Sequence, residues 1–281
     1  MRRILPILAA LAATPFAQDL DSMMTQSSAG EPVQATFKAI RVVESHSVET
    51  SGKGVLDLEV SHRFGSIGNG PAGGFGMDMA NTRISVDYGF TDWMDLGAER
   101  ANNEGKPVDL WGKFRLLRQT VDDKVPVSVT WLSIGYLNTE DPQGVGSIPF
   151  SDKLSSVHQL IVARKFSESL SLQVSPTVVQ RSLVQYSDES SIATGLGMAG
   201  RWKYNSRQGI DLDVTQMFTG VHKSNAPSIG LGWEVETGGH VFQLHFVNSG
   251  WLSEDRAYTR NAQDIGELST WSLGFLITRA F

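Results

Sequence analysis

The sequence predicts an all-β fold, a transmembrane antiparallel up-and-down β-barrel of about twelve strands. Three observations predict it. Apolar and polar residues alternate from residue 55 to the end. No run of about 18 apolar residues follows the N-terminus, which excludes helical spans but not strands. Short and long connections alternate, as turns on one side of a membrane and loops on the other would.

The chain opens with Arg2 and Arg3, an apolar run over residues 4–13 and small residues up to Ala17. This reads as a signal peptide, residues 1–17, with cleavage after Ala17, although Pro15 fits the usual small-residue pattern poorly. Residues 19–33 are a polar lead-in. Residues 35–50 (ATFKAIRVVESHSVET) mix Phe37, Ile40, Val42 and Val43 with Lys38, Arg41, Glu44 and Glu49, and fit neither the strand nor the helix period. Residues 18–53 are therefore either a periplasmic extension or a segment inserted into the lumen. The barrel takes residues 54–281.

From there the period is two. Residues 55–64 place Leu56, Leu58, Val60 and Phe64 opposite Asp57, Glu59, Ser61 and Arg63. Residues 81–90 set Ile84, Val86, Tyr88 and Phe90 against Arg83, Ser85, Asp87 and Gly89. Residues 93–100 and 107–119 continue the pattern, whereas 125–138 and 157–166 are apolar on both faces in places and leave their orientation open. Segments 170–181, 192–204, 209–218, 228–236, 240–248 and 269–281 complete an even set of twelve, as single-chain outer-membrane barrels require. In the last of them Trp271, Leu273, Phe275, Ile277, Arg279 and Phe281 share one face.

Charged side chains facing lipid cost about 2–4 kcal/mol each at mid-bilayer for Lys or Arg. The charged parity must therefore face the lumen: Asp57, Glu59, Arg63, Arg83, Asp87, Asp95, Glu99, Asp109, Lys113, Arg115, Arg181, Arg201, Lys203, Asp211, Asp213, Glu234 and Glu236. Their near balance argues against strong ion selectivity. With both termini periplasmic, Tyr88, Phe90, Phe166, Trp202, Tyr204 and Phe281 form an aromatic girdle at the periplasmic interface.

Little points to chemistry. The chain has no cysteine, which excludes disulfides and thiolate metal sites, and its net charge of −6 offers no basic surface for nucleic acid. No G-x-S-x-G or H-E-x-x-H occurs. His62 shares the outward parity of Phe64, where a lipid-acting histidine would lie, but reads first as an interfacial polar residue. His46 near Glu44 and Glu49 lacks a third well-spaced metal ligand. His245 and Gln243 face inward. The glycine-rich stretch 68–76 lacks the Lys-Ser/Thr of a phosphate loop and reads as a flexible outer loop. No catalytic residue, metal or cofactor is expected.

Several stretches resemble an uncharacterised Gram-negative β-barrel family, domain of unknown function 5777. They are ATFKAIRVVESHSVE, GKGVLDLEVSHRFG, TRISVDYGFTDWMDLG, KFRLLRQ, PVSVTWLS and HVFQLHFVNS. The resemblance implies an outer-membrane barrel and supplies no activity or functional residues. The expected function is a narrow channel or uptake pore for small solutes in the outer membrane. The alternative is a plugged barrel acting as a structural or docking component, with an outer-membrane lipid hydrolase as a third class. Expected partners are outer-membrane lipids, the barrel-assembly machinery through the C-terminal strand, and a small solute or periplasmic partner.

Overall fold

A computed structural model describes residues 30–142, 144, 146–263 and 265–281. The signal peptide and most of the lead-in lie outside them. Twelve strands follow one another: β1 Leu56–Ser66, β2 Ala80–Thr91, β3 Met94–Ala101, β4 Pro107–Leu117, β5 Ser128–Asn138, β6 Leu154–Lys165, β7 Leu170–Arg181, β8 Ile192–Lys203, β9 Gln208–Thr219, β10 Ser228–Thr237, β11 His240–Val247 and β12 Ser272–Ala280. Each pairs antiparallel with its sequence neighbour, and β12 pairs with β1. Closure leaves no sheet edge, so the ladder satisfies the backbone polar groups that lipid could not.

Register carries the alternation around the wall. Leu58, Val86, Ala98 and Leu110 lie side by side across β1 to β4 on the outer face. One residue along, Glu59, Ser85, Glu99 and Asp109 form the matching inner row. Leu58 and Val86 are exposed, whereas Glu59 and Glu99 are almost fully covered. Because the outer row is the lipid face, Val86→Arg should destabilise the barrel by about 2–4 kcal/mol. Urea titration in micelles checks this; a cost near zero would mean that the face meets water.

Three boundaries depart from the sequence reading. β5 starts at Ser128 rather than 125, because residues 118–127 form a longer turn; Pro32 bridges Thr120, and Val33 N–H donates to Gln119 O. β6 starts at Leu154. β12 starts at Ser272, so Trp271 lies just before that strand, beside Phe246 of the outward parity of β11. A 3-10 turn, Leu268–Thr270, precedes it, and the indole is covered and stacked on Phe246 at 4.9 Å. The glycine-rich stretch forms two 3-10 turns, Ile67–Asn69 and Pro71–Gly76. Gly76 has φ 90°, and a Cβ there would overlap the carbonyl of Gly65, so only glycine fits.

Candidate functional site: the filled lumen

Residues 36–50, which matched neither period, lie inside the barrel. They make a tight reversal: Val42 N–H donates to Ser45 O at 2.9 Å and Ser47 N–H to Ile40 O at 2.8 Å. This insert is not amphipathic in either regular sense because it is surrounded. Its Phe37, Ile40, Val42, Val43 and Val48 are buried in one apolar cluster with Leu132 and Ile134 of β5, Val157 and Ile161 of β6, and Val179 of β7. On β10, Val43 lies over Gly230, where an added Cβ would sit 2.7 Å from Val43 Cγ1.

Polar contacts fix the rest of the insert to the wall. Asp213 of β9 accepts from Glu44 N–H (3.1 Å) and from Ser45 N–H and hydroxyl (2.7 Å each). Gln173 of β7 takes Val48 N–H and donates to His46 O, and Thr130 of β5 donates to Val48 O. Lys113 Nζ of β4 donates to the carbonyls of Ile40 and Glu49. Just beyond the insert, Ser51 N–H donates to Asp95 and its hydroxyl to Asp87. These bonds satisfy an irregular backbone that has no ladder of its own.

The outer side is filled by the connection between β11 and β12. The alternation leaves a long connection over residues 249–268, which reads as an outer loop; its first part instead turns inward. A short helix, α1 (Glu254–Thr259), has all six residues buried. Loop and insert meet at Glu254, which accepts from Arg41 and, at 2.7 Å, from the Tyr136 hydroxyl. Arg41 also pairs with Glu99 at 2.7 Å and Glu59 at 3.3 Å. Arg83 pairs with Glu59 at 2.9 Å and donates to Leu252 O at 2.6 Å. The inner row of the register is thus where three carboxylates converge on one guanidinium from the insert. The pattern SEDRAYT offers six hydrogen-bonding residues and no apolar periodicity, so nothing in the sequence signalled that this stretch enters the barrel.

Of the lumen-facing charges named from sequence, Asp57, Glu59, Arg63, Arg83, Asp87, Asp109, Lys113, Arg181, Arg201, Asp211, Asp213 and Glu234 are all buried inside. So are Asp95 and Glu99. Arg115 and Glu236 sit lower, half-covered, paired with Glu49 at 3.5 Å and Lys38 at 2.6 Å. Arg63 pairs with Glu44 at 2.6 Å, Arg201 with Glu234, and Arg181 with Glu189 at 3.5 Å. The girdle residues Tyr88, Phe90, Phe166, Trp202, Tyr204 and Phe281 are all exposed on the outer face, at the end of the barrel that carries the short turns.

Space is divided by this filling. On the side of the short turns a recess of about 510 Å³ is bordered by Lys38, Glu49, Asp57 and Arg115. On the loop side two recesses of about 850 and 640 Å³ lie against Arg256 and Trp251. Beside Val43, Arg83 and Glu254 a void of about 10 Å³ remains, room for one water at most.

The histidines divide the same way. His62 stacks on Phe275 at 4.8 Å and shares a hydrogen bond with Thr82 Oγ1 at 3.0 Å, on the outward face. His245 Nε2 lies 3.0 Å from Gln243 Oε1. Among the described residues no three acidic or histidine groups are placed to hold a metal. His46 is fully covered, edge-on to Trp111 at 5.0 Å, and neither ring nitrogen has a hydrogen-bond partner. Burial, with Arg41, Lys113 and Arg83 nearby, holds its imidazole well below the usual range, although Glu254 lies 3.7 Å away. An unfolded chain then binds a proton that the folded one refuses. Stability from this site is present above about pH 6.5 and falls below it by about 1.4 kcal/mol per pH unit. Urea titrations at pH 7.5 and 5.5 should show this loss, and His46→Phe should remove that part of it.

Residues 37–281, nearly the whole described chain, match the family described as "Membrane bound beta barrel domain" (DUF5777). The chain belongs to this family. No curated protein sequence matches it. Among solved structures, an outer-membrane channel from Pseudomonas putida F1 superposes with a TM-score of 0.52 at 9% identity, covering 85% of this chain and 100% of the other. The NanC porin superposes with a TM-score of 0.51 at 13% identity, covering 80% and 98%. At such identities the likeness is one of fold.

Proposed function

We propose that the protein is an outer-membrane channel for small solutes, held shut by the insert and α1. The observation that carries this is the division of the lumen: recesses open at both ends, and the insert and α1 fill the space between, leaving beside Val43, Arg83 and Glu254 a void of only about 10 Å³. Val43 and Glu254 come from two chain segments that the strand ladder does not hold, whereas Arg83 belongs to β2. Shifting those two segments opens a path without breaking the barrel. The two solved structures of like fold are a porin and an outer-membrane channel, which supports the reading at the level of fold.

A reversible lock tests it. The chain has no cysteine, and a Cβ at Gly230 would lie 3.2 Å from Val43 Cβ, within a small adjustment of disulfide geometry. Val43→Cys/Gly230→Cys in the full chain should give no conductance in planar bilayers when oxidised, and openings when reduced. Openings that persist in the oxidised protein would mean that the insert is no gate. Silence in both states and in the wild type would leave a permanently plugged barrel.

A further inference from the structure

We infer that the open lumen passes cations in preference to anions; this rests on the channel reading above. The inner wall does not keep the near balance that the sequence suggested. Side chains of the strands that are buried in the lumen comprise nine carboxylates against five bases. Of the charges named from parity, two bases, Arg115 and Lys203, but only one carboxylate, Glu236, belong to the half-covered rim, so the carboxylate excess rises from three to four.

The closed state shows how the excess is offset. Arg41 of the insert sits among Glu59, Glu99 and Glu254. Backbone N–H groups of Glu44 and Ser45 point at Asp213, and Ser51 gives an N–H to Asp95 and a hydroxyl to Asp87. At each place a positive charge or the positive end of a dipole from the inserted chain meets a wall carboxylate. Lys113, Arg63 and Arg115 reverse the pattern, facing insert carbonyls, Glu44 and Glu49. When the insert shifts and water enters, mobile cations take the places that the insert held beside these carboxylates. Beside Arg83 the wall itself carries Glu59 and Glu99, so a carboxylate excess remains at this level once the insert and α1 have moved.

The measurement is the reversal potential of single openings of the full chain under a roughly tenfold KCl gradient. Wild type and a loosened variant that leaves every charge in place, Ile40→Ser/Val43→Ser, are compared. A potassium-to-chloride permeability ratio of about five or more is expected, and Glu59→Gln/Glu99→Gln should lower it about threefold. A ratio at or below one, or one indifferent to Glu59→Gln/Glu99→Gln, overturns the inference while the channel stands. No opening from either protein overturns the channel reading, and this inference with it.

Discussion

Arg41→Gln should release the insert while leaving the barrel closed. The guanidinium is almost fully buried and is shared by Glu59, Glu99 and Glu254. Glutamine removes the charge, and Arg83 is then left to face three carboxylates. Removing one partner of a buried ion pair costs about 3–5 kcal/mol, because the remaining charges stay desolvated. The strand ladder does not depend on Arg41, since its hydrogen bonds run between strands and close on themselves. The strain is therefore relieved by the insert moving out and water moving in. Limited proteolysis in micelles should cut residues 36–50 in the variant and not in the wild type, with the faster-migrating folded band of the unheated barrel retained. An uncut insert with lowered barrel stability would show that insert and wall unfold as one unit. Lys38→Gln is the contrast. Its pair with Glu236 is about one-third exposed, and its loss should cost about 1 kcal/mol or less.

The barrel was legible because each strand obeys a local rule. Leu56 to Phe64 and Ile84 to Phe90 alternate because one side meets lipid and the other a filled interior, and that contrast is written at every second residue. The lumenal charges were legible for the same reason, since Glu59 or Asp109 facing lipid would be too costly. The partners were not. Arg41 and Glu254 are 213 positions apart and meet only because register brings Glu59, Glu99 and Tyr136 to one level. Residues 36–50 had no period because every side of them is covered. A segment satisfied by the walls around it has no reason to repeat. The helix α1 has six residues, too few for a periodic signal, and it is buried through Glu254 and Tyr258 rather than through an apolar stripe.

The two strands whose orientation the sequence left open are explained by the insert, and they give the second large effect. β5 and β6 look apolar on both faces because both faces meet apolar matter. Trp131, Leu137 and Leu160 point outward, while Leu132, Ile134, Val157 and Ile161 point inward into the apolar cluster that also holds Phe37, Ile40 and Val43. In a water-filled pore an inward leucine would be nearly free to lose. Here Leu132 and Ile161 are wholly buried in the cluster. Leu132→Ala and Ile161→Ala should each cost about 2–5 kcal/mol, from lost burial and from the cavity left behind. Equilibrium unfolding in micelles reads this directly. A loss below about 0.5 kcal/mol for both, the size of an ordinary surface change, would mean that the insert does not pack on this wall. With the insert released by Arg41→Gln the same truncations should become nearly silent, because the wall then faces water in both proteins. Truncation and release thus act on one object from two sides, and their non-additivity measures how much of the lumen's stability comes from being full.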